Sequence, residues 1–383
     1  EGSILYSSYQ ALPCRNYLPR TASGDWEVNA NPGLLIDGTQ YAGFDIPLKN
    51  FEVDESQGTT DPARCLVPWE AVPWSVNPDQ NFLVNANNDP GGLSTDGSLT
   101  DDPYYIGGPW LEGYRADTIE QQLALEANTA SATIESMQTL QANHQSRIGE
   151  QFVPILSEAL EQARQAVSGE QTAGTLGRMA TLYQENESDF EEVELRLLDW
   201  CNGGCWAKSG VETFYNAPQE GDLDDAIATM IFNAWYGRFL AGVFNDEGFP
   251  SGIWFPTGDS GRQRTITRLL EGRGEENTLG IASWNEDTGE SVFFDDIGTE
   301  QTESSREIAL LALVDALAFL RSDPSEPGVG GFGTDDKNQW LWGLRHWVRF
   351  ESVLAELIGD DPTLSMFTEP FAISPERLPL AEN

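Results

Sequence analysis

Apolar residues recur every three or four positions between residues 133 and 167, and this pattern is the strongest constraint on how the chain folds. Such spacing places apolar side chains on one face of a helix that packs against a core. Pro154 interrupts the pattern, so the helix is expected to be kinked or split there. Asp222 or Asp224 is expected to cap a helix that begins near residue 224. The other predicted helices are 115–126, 191–199, 224–243 and 306–321.

The first part of the chain lacks this helical pattern. Residues 10–80 are rich in Pro, Gly and Asn and contain only short aromatic segments. The apolar run 82–84 predicts a short buried strand, and residues 1–9 predict the second half of a turn followed by a strand. The sequence therefore predicts an α+β protein, with a loop-rich β part at residues 1–113 and a mainly helical part at residues 114–383.

A cluster of amide side chains follows the predicted strand. Asn85, Asn87 and Asn88 lie within four positions of one another and are followed by Asp89 and Pro90. Buried amide groups need hydrogen-bond partners, so the cluster indicates a polar network in which Asn85 and Asn88 are structural members. Because Asn, Asp and Pro are also common turn residues, an Asn-rich turn is the alternative.

The charge of the chain excludes one class of partner. The net charge is −41, and only three of the basic residues are lysines: Lys49, Lys208 and Lys337. Without a basic stripe to neutralise phosphates, nucleic-acid binding is not expected. The acidic residues are spread along the whole chain, as on a surface adapted to high salt, where charge repulsion is screened. An acidic secreted protein is the alternative interpretation.

The chain contains no run of about eighteen apolar residues, so no membrane-spanning helix is expected. It begins without an initiator Met or a signal peptide, which suggests a processed or excised piece of a longer protein. The predicted first strand has no strand before its turn. This interpretation places the start of the sequence in the middle of a sheet.

The cysteines predict disulfides rather than a metal centre. The four cysteines are Cys14, Cys65, Cys201 and Cys205. The only histidines, His144 and His346, are not near a cysteine, so a zinc site is poorly supported. One disulfide is expected within each pair, 14–65 and 201–205. Disulfides indicate an oxidising compartment, here the periplasm or the extracellular space.

Several motifs, in order along the chain, resemble those of the penicillin acylase (penicillin amidase) family of N-terminal-nucleophile amide hydrolases. Residues 86–90 match the family motif A-N-N-x-P. Residues 113–119 match G-Y-R-A-x-R-I, except that Thr118 replaces the second Arg. Residues 340–346 are close to the late signature W-x-W-G-x-x-H, although Trp340, Trp342 and His346 are interpreted as packing residues. The resemblance implies a partial αββα sheet region followed by a large helical part.

The resemblance also implies a mechanism. Family members are made as one precursor that cleaves itself, and the new N-terminal Ser of the β subunit is the nucleophile, with its own α-amino group as the base. By position in the motifs, Asn87 is expected to hold the oxyanion. Arg115 is expected to lie close to it, although a salt bridge at the helix start is the alternative for Arg115.

This chain departs from the family pattern at the nucleophile. Position 1 is Glu, and no Gly-Ser-Asn-x-Trp segment occurs in the 383 residues. The chain is therefore interpreted as an internal part of a β subunit that is inactive alone. Its expected partners are the α subunit, the remaining β-subunit segments of the same precursor and an N-acyl small-molecule substrate. The alternative is a catalytically inactive relative that acts as an extracellular binding or scaffold protein.

No cofactor is required by the implied mechanism. Family members often bind a structural calcium ion, and Asp101 or Asp102 occupies roughly the place of one calcium ligand. Because calcium takes six to eight oxygen ligands, these two residues could supply only part of a site. A plain acidic loop is the alternative interpretation of both residues.

Overall fold

The computed structural model of the chain divides into two compact units. The first unit is Glu1–Ser136 with Phe249–Arg264, and the second unit is Met137–Gly248 with Thr265–Asn383. The structure describes residues 2–7, 12–13, 15, 18–22, 26–27, 30–32, 36–41, 48–49, 52–53, 67, 73–88, 90, 106–107, 110–129, 132–212, 217–246, 259–274, 276–324 and 330–346. The division after residue 113 stays a prediction.

The described part of the first unit contains short antiparallel strands and one long helix. Strand β1 (Leu5–Ser7) pairs with β4 (Trp74–Val76), with Leu5 opposite Val76. Strands β2 (Leu48–Lys49) and β3 (Glu52–Val53) form a second two-stranded ribbon. Helix α1 is Tyr114–Thr129. These elements place residues 73–90 and the start of α1 together in one unit.

The second unit is built mainly from helices. Its elements are α2 (Ile134–Gln141, which begins in the first unit), α3 (Arg147–Ser168), α4 (Gly174–Asn202), α5 (Asp222–Phe244), α6 (Asp259–Glu271, shared with the first unit), β5 (Trp284–Asn285), β6 (Glu290–Ser291) and α7 (Ser305–Arg321). Three short 3₁₀ helices are Val292–Phe294, Lys337–Gln339 and Trp342–Leu344. Helix α3 packs on α4, and α5 packs on α7.

Helix α5 lies at the centre of this unit, with most of its side chains buried. It is apolar on nearly all faces, which is typical of a buried helix. Trp235 is fully buried, and its indole N–H donates to the Ala309 carbonyl on α7 at 2.9 Å. The predicted α+β class with a large helical part is confirmed. Among the described residues, no helix is both long enough and apolar enough to span a membrane.

Three details of the predicted secondary structure are wrong. Residues 82–84 are half-buried and irregular rather than a buried strand, because among the described strands β1 and β4 pair with each other and not with this run. Helix α3 is continuous through Pro154, which is exposed, so the helix is not split there, and a kink at Pro154 stays a prediction. Helix α5 is not capped by an aspartate side chain, since Gly221 occupies the cap position with φ 96°.

The break in the long predicted helix lies at residues 142–146 instead. Ser146 caps α3 by accepting a hydrogen bond from the Gly149 N–H at 3.0 Å, and its own N–H donates to the Cys205 carbonyl at 2.9 Å. The predicted disulfide between Cys201 and Cys205 is present and closes the end of α4. The loop that follows α4 therefore helps to fix where α3 begins.

Candidate active site

The amide cluster forms a tight corner. The Ala86 N–H donates to Asn88 Oδ1 at 3.1 Å, and the Asn87 N–H donates to Asn85 Oδ1 at 3.3 Å. The Asn85 bond closes a turn of the type that Asn favours, and the Asn88 bond ties the same segment together from the other side. Ala86 lies buried at the centre of the corner. The local sequence thus folds residues 85–88 into a compact turn without a strand before it.

Asn87 stands out from this corner. Its φ of 62° lies in the left-handed region, which Asn tolerates better than most residues, and its side chain is exposed. The Asn87 carbonyl accepts a hydrogen bond from the Leu111 N–H at 2.9 Å. The corner is therefore tied to the segment that leads into α1.

Arg115 holds the side chain of Asn87. It lies in the first turn of α1, after Gly113, whose φ of 93° suits glycine and sets the direction in which the helix starts. Its Nη2 donates to Asn87 Oδ1 at 2.5 Å. Because the guanidinium group can only donate, this contact identifies the amide oxygen and turns the NH₂ group of Asn87 away from Arg115. Among the described residues, that NH₂ group has no acceptor.

A comparison with family profiles assigns the chain to a family. A sequence profile described as penicillin amidase matches residues 1–379, which is nearly the whole chain. The chain belongs to the penicillin amidase family. Comparison with curated proteins and with solved structures returned no match. At the level of the family, this is an amidase-like hydrolase, and membership implies a precursor with subunits and a small-molecule substrate.

A cleft of about 250 Å³ opens beside the corner of this penicillin amidase chain. Side chains from β1, β4, residues 80–90 and α1 line it, and they include Tyr6, Trp74, Phe82, Asn88 and Glu120. The aromatic rings provide apolar surface, while the amide and carboxylate groups provide hydrogen-bond partners. Such a mixture is typical of sites for small molecules.

The structure does not describe four of the other predicted site residues. Cys14, Cys65, Asp101 and Asp102 lie outside the described residues. Among the residues that the structure describes, no group of three or more His, Cys, Asp or Glu side chains could hold a metal ion.

The late motif of the amidase chain lies in the second unit. Trp340 is fully buried, and its indole N–H donates to the Thr334 carbonyl at 3.1 Å. The rings of Trp342 and His346 stack with their centres 4.5 Å apart. Burial lowers the pKa of His346, which favours the neutral ring. These contacts are packing contacts.

Sequence reasoning missed the contribution of Leu111. Its backbone N–H, rather than its side chain, holds Asn87. Every residue except proline carries this donor, so no residue type marks the position in the sequence. Only the fold shows that residue 111 meets residue 87.

Proposed function

We propose that this chain is part of a hydrolase that cleaves N-acyl amides through an acyl-enzyme. The nucleophile in this proposal is an N-terminal Ser supplied by residues outside the 383, and the partners are the α subunit and the other β-subunit segments. The observation that carries the proposal is the contact between Arg115 and Asn87, which joins two family motifs 28 positions apart.

The contact supports a role for Asn87 in holding the oxyanion. The Ser hydroxyl attacks the amide carbonyl and passes its proton to the α-amino group. The carbonyl oxygen becomes an oxyanion and accepts a hydrogen bond from the Asn87 NH₂ group, which Arg115 orients by occupying the other end of the amide. When the intermediate collapses, the C–N bond breaks and the amine leaves with the proton. Water then attacks the acyl-enzyme ester and releases the acid.

The surroundings of the corner support a substrate with an apolar acyl group. Trp74 is half-exposed, and Tyr6 and Phe82 lie with it on the wall of the adjacent cleft. Burying an aromatic or aliphatic group against these rings would contribute about 25 cal/mol per Å² of apolar surface. Candidate substrates are β-lactams with an acylated amine, acyl-homoserine lactones and acylated amino acids.

The proposed compartment is oxidising, either the periplasm or the extracellular space. The Cys201–Cys205 disulfide, which joins the end of α4 to the loop after it, supports this proposal. The acidic surface supports adaptation to high salt as part of the same proposal.

Expression of the complete precursor tests the function. Mass spectrometry should show self-cleavage that leaves a new N-terminal Ser, and the processed protein should hydrolyse a chromogenic phenylacetyl amide or a longer acyl amide. A precursor that stays uncleaved and hydrolyses no amide in such a panel would instead support the inactive relative that acts as a binding or scaffold protein.

A further inference from the structure

A second arginine, from a distant part of the chain, contacts the segment that is hydrogen-bonded to the Asn87 backbone. Arg264 lies on α6, and its Nη2 donates a hydrogen bond to the Trp110 carbonyl, 154 positions away. Both residues belong to the first unit. The contact joins the first turns of α6 to the segment that leads into α1.

The Trp110 carbonyl and the Leu111 N–H are the two ends of one peptide group. Arg264 donates to the carbonyl end, and the N–H end donates to the Asn87 carbonyl at 2.9 Å. A charged donor on the carbonyl polarises the peptide group, so the N–H becomes a stronger donor. The 110–111 peptide group therefore links the Arg264 side chain to the Asn87 backbone through two hydrogen bonds.

The environment of this peptide group favours a strong link. Arg264 is half-buried, and the neighbouring Trp110 Nε1 and Glu112 Oε1 atoms are closed off from solvent. Hydrogen bonds are stronger where water does not compete for the same groups. Arg115, in contrast, is exposed and acts on the Asn87 side chain rather than on its backbone.

We propose that Arg264 is a positioning residue of the oxyanion hole, an inference that rests on the proposed function. Arg115 orients the Asn87 amide, and Arg264, through the 110–111 peptide, fixes the backbone that carries it. The oxyanion donor then stays in place while charge develops on the substrate. A displacement of about 1 Å at such a donor can lower the rate as much as 10²-fold.

The kinetic test uses Arg264→Ala and Arg264→Lys in the complete precursor. We expect Arg264→Ala to lower kcat roughly tenfold per titrated active site and to leave KM nearly unchanged, since the oxyanion exists only after attack. Arg264→Lys keeps a charged donor and should recover part of the loss. The matched control is Arg268→Ala, which removes the same charge one turn later on α6, where the side chain has no hydrogen bond among the described residues. This control should keep the wild-type kcat.

A double variant separates positioning from a general loss of folding. In the background of Asn87→Ala, the Arg264→Ala change should lower kcat no further, because the group that Arg264 positions is already gone. Independent, additive losses would overturn the proposal, as would a change in KM alone. A lower yield of active sites with unchanged kcat would also overturn it, because that result indicates a purely structural role.

Amide hydrogen exchange on the same proteins gives a readout that does not depend on activity. The Leu111 N–H should exchange faster in Arg264→Ala than in the wild type, and Arg268→Ala should not change it. Unchanged exchange at Leu111 would overturn the inference. If the wild-type precursor hydrolyses no amide while Leu111 exchange responds as expected, the proposed function fails rather than the contact between Arg264 and the corner.

Discussion

Asn87 combines an unusual backbone conformation with a side chain that is held at one end only. Its φ of 62° lies in the left-handed region. Arg115 donates a hydrogen bond to the amide oxygen of Asn87 at 2.5 Å. The NH₂ end is therefore the group that an oxyanion can use. This arrangement needs an amide at position 87, because the neighbouring arginine requires an acceptor and the reaction requires a donor.

The variant Asn87→Asp, made in the complete precursor, tests the role of the Asn87 NH₂ group. Aspartate tolerates the same backbone region and still accepts from Arg115, but it has no N–H to donate. We expect kcat to fall on the order of 10²–10³-fold while the thermal unfolding midpoint stays close to that of the wild type. Asn81→Asp is the matched control, since Asn81 also has a left-handed backbone with φ 64°. An unchanged kcat would refute the role of Asn87.

At the scale of elements, the start of α7 is held by a buried ion pair. Glu307 lies in the first turn and is 2% exposed. Arg178 on α4 binds it with two hydrogen bonds, Nε to Oε1 at 2.5 Å and Nη2 to Oε2 at 2.6 Å. Burial raises the pKa of Glu307, and the hydrogen bonds and charge of Arg178 partly oppose this rise. The charged form of the Glu307 carboxylate is therefore stabilised by its bidentate contact with Arg178.

Removal of that partner should destabilise the second unit. Arg178→Ala leaves Glu307 buried and unpaired, and we expect the free energy of unfolding to fall by about 3 kcal/mol. The matched control is Arg196→Ala, since Arg196 pairs with Glu192 and Asp224, which are 40% and 81% exposed. Such exposed pairs contribute below about 1 kcal/mol. Urea unfolding followed by circular dichroism measures both variants, and equal losses would contradict the prediction.

The stability that Glu158 contributes should depend on pH. Glu158 on α3 binds Arg306 and Arg273. Burial raises the pKa of Glu158, but the two arginines outweigh this effect and the net pKa is lowered. A lowered folded-state pKa means that the unfolded chain takes up the proton first. The stability that Glu158 contributes is therefore present above about pH 5 and is lost as the pH falls below about 4.

The variant Glu158→Gln should show this dependence. Its deficit in the free energy of unfolding, relative to the wild type, should be largest near pH 7 and should shrink as the pH falls from about 5 to about 3. The deficit is expected to stay below about 1 kcal/mol, because the carboxylate is 43% exposed and screened by solvent. Glu220→Gln is the control, since Glu220 is exposed and has no hydrogen bond among the described residues. A deficit that grows in acid would contradict the assignment.

For the whole molecule, the dominant physical property is its net charge of −41. Several described ion pairs of the second unit join different helices, as in the contacts of Lys337 with Asp189 and Glu192. The remaining acidic residues repel one another across the surface. At an ionic strength of about 0.1 M the screening length is about 10 Å, and at about 1 M it is about 3 Å.

Salt should therefore stabilise the protein. We expect the thermal unfolding midpoint to rise between about 0.1 and 2 M KCl, because screening of the repulsion exceeds the loss in the half-buried ion pairs. Sucrose at matched osmolality is the control for effects that do not depend on charge. Calorimetry provides the measurement, and a midpoint that falls with KCl would contradict the high-salt interpretation of the surface.

Much of the architecture follows from local sequence. The periodic and all-apolar segments predicted the centres of α1, α5 and α7, because a helix is set by contacts between residues three and four positions apart. The CNGGC spacing predicted the disulfide at the end of α4. The family motifs indicated Asn87 and Arg115 as neighbours, and the structure brings them into contact.

Tertiary structure alone decided the features that depend on distant residues. The run 82–84 is apolar enough for a strand but pairs with no described strand. Helix α3 begins where the Cys205 loop meets Ser146 rather than at Pro154. Arg264 reaches Trp110 across 154 positions through a backbone carbonyl that any residue could provide. The sequence by itself therefore determined the centres of α1, α5 and α7 and the chemical groups of the corner. Their partners were decided by the fold, because backbone hydrogen bonds between distant segments carry no residue code.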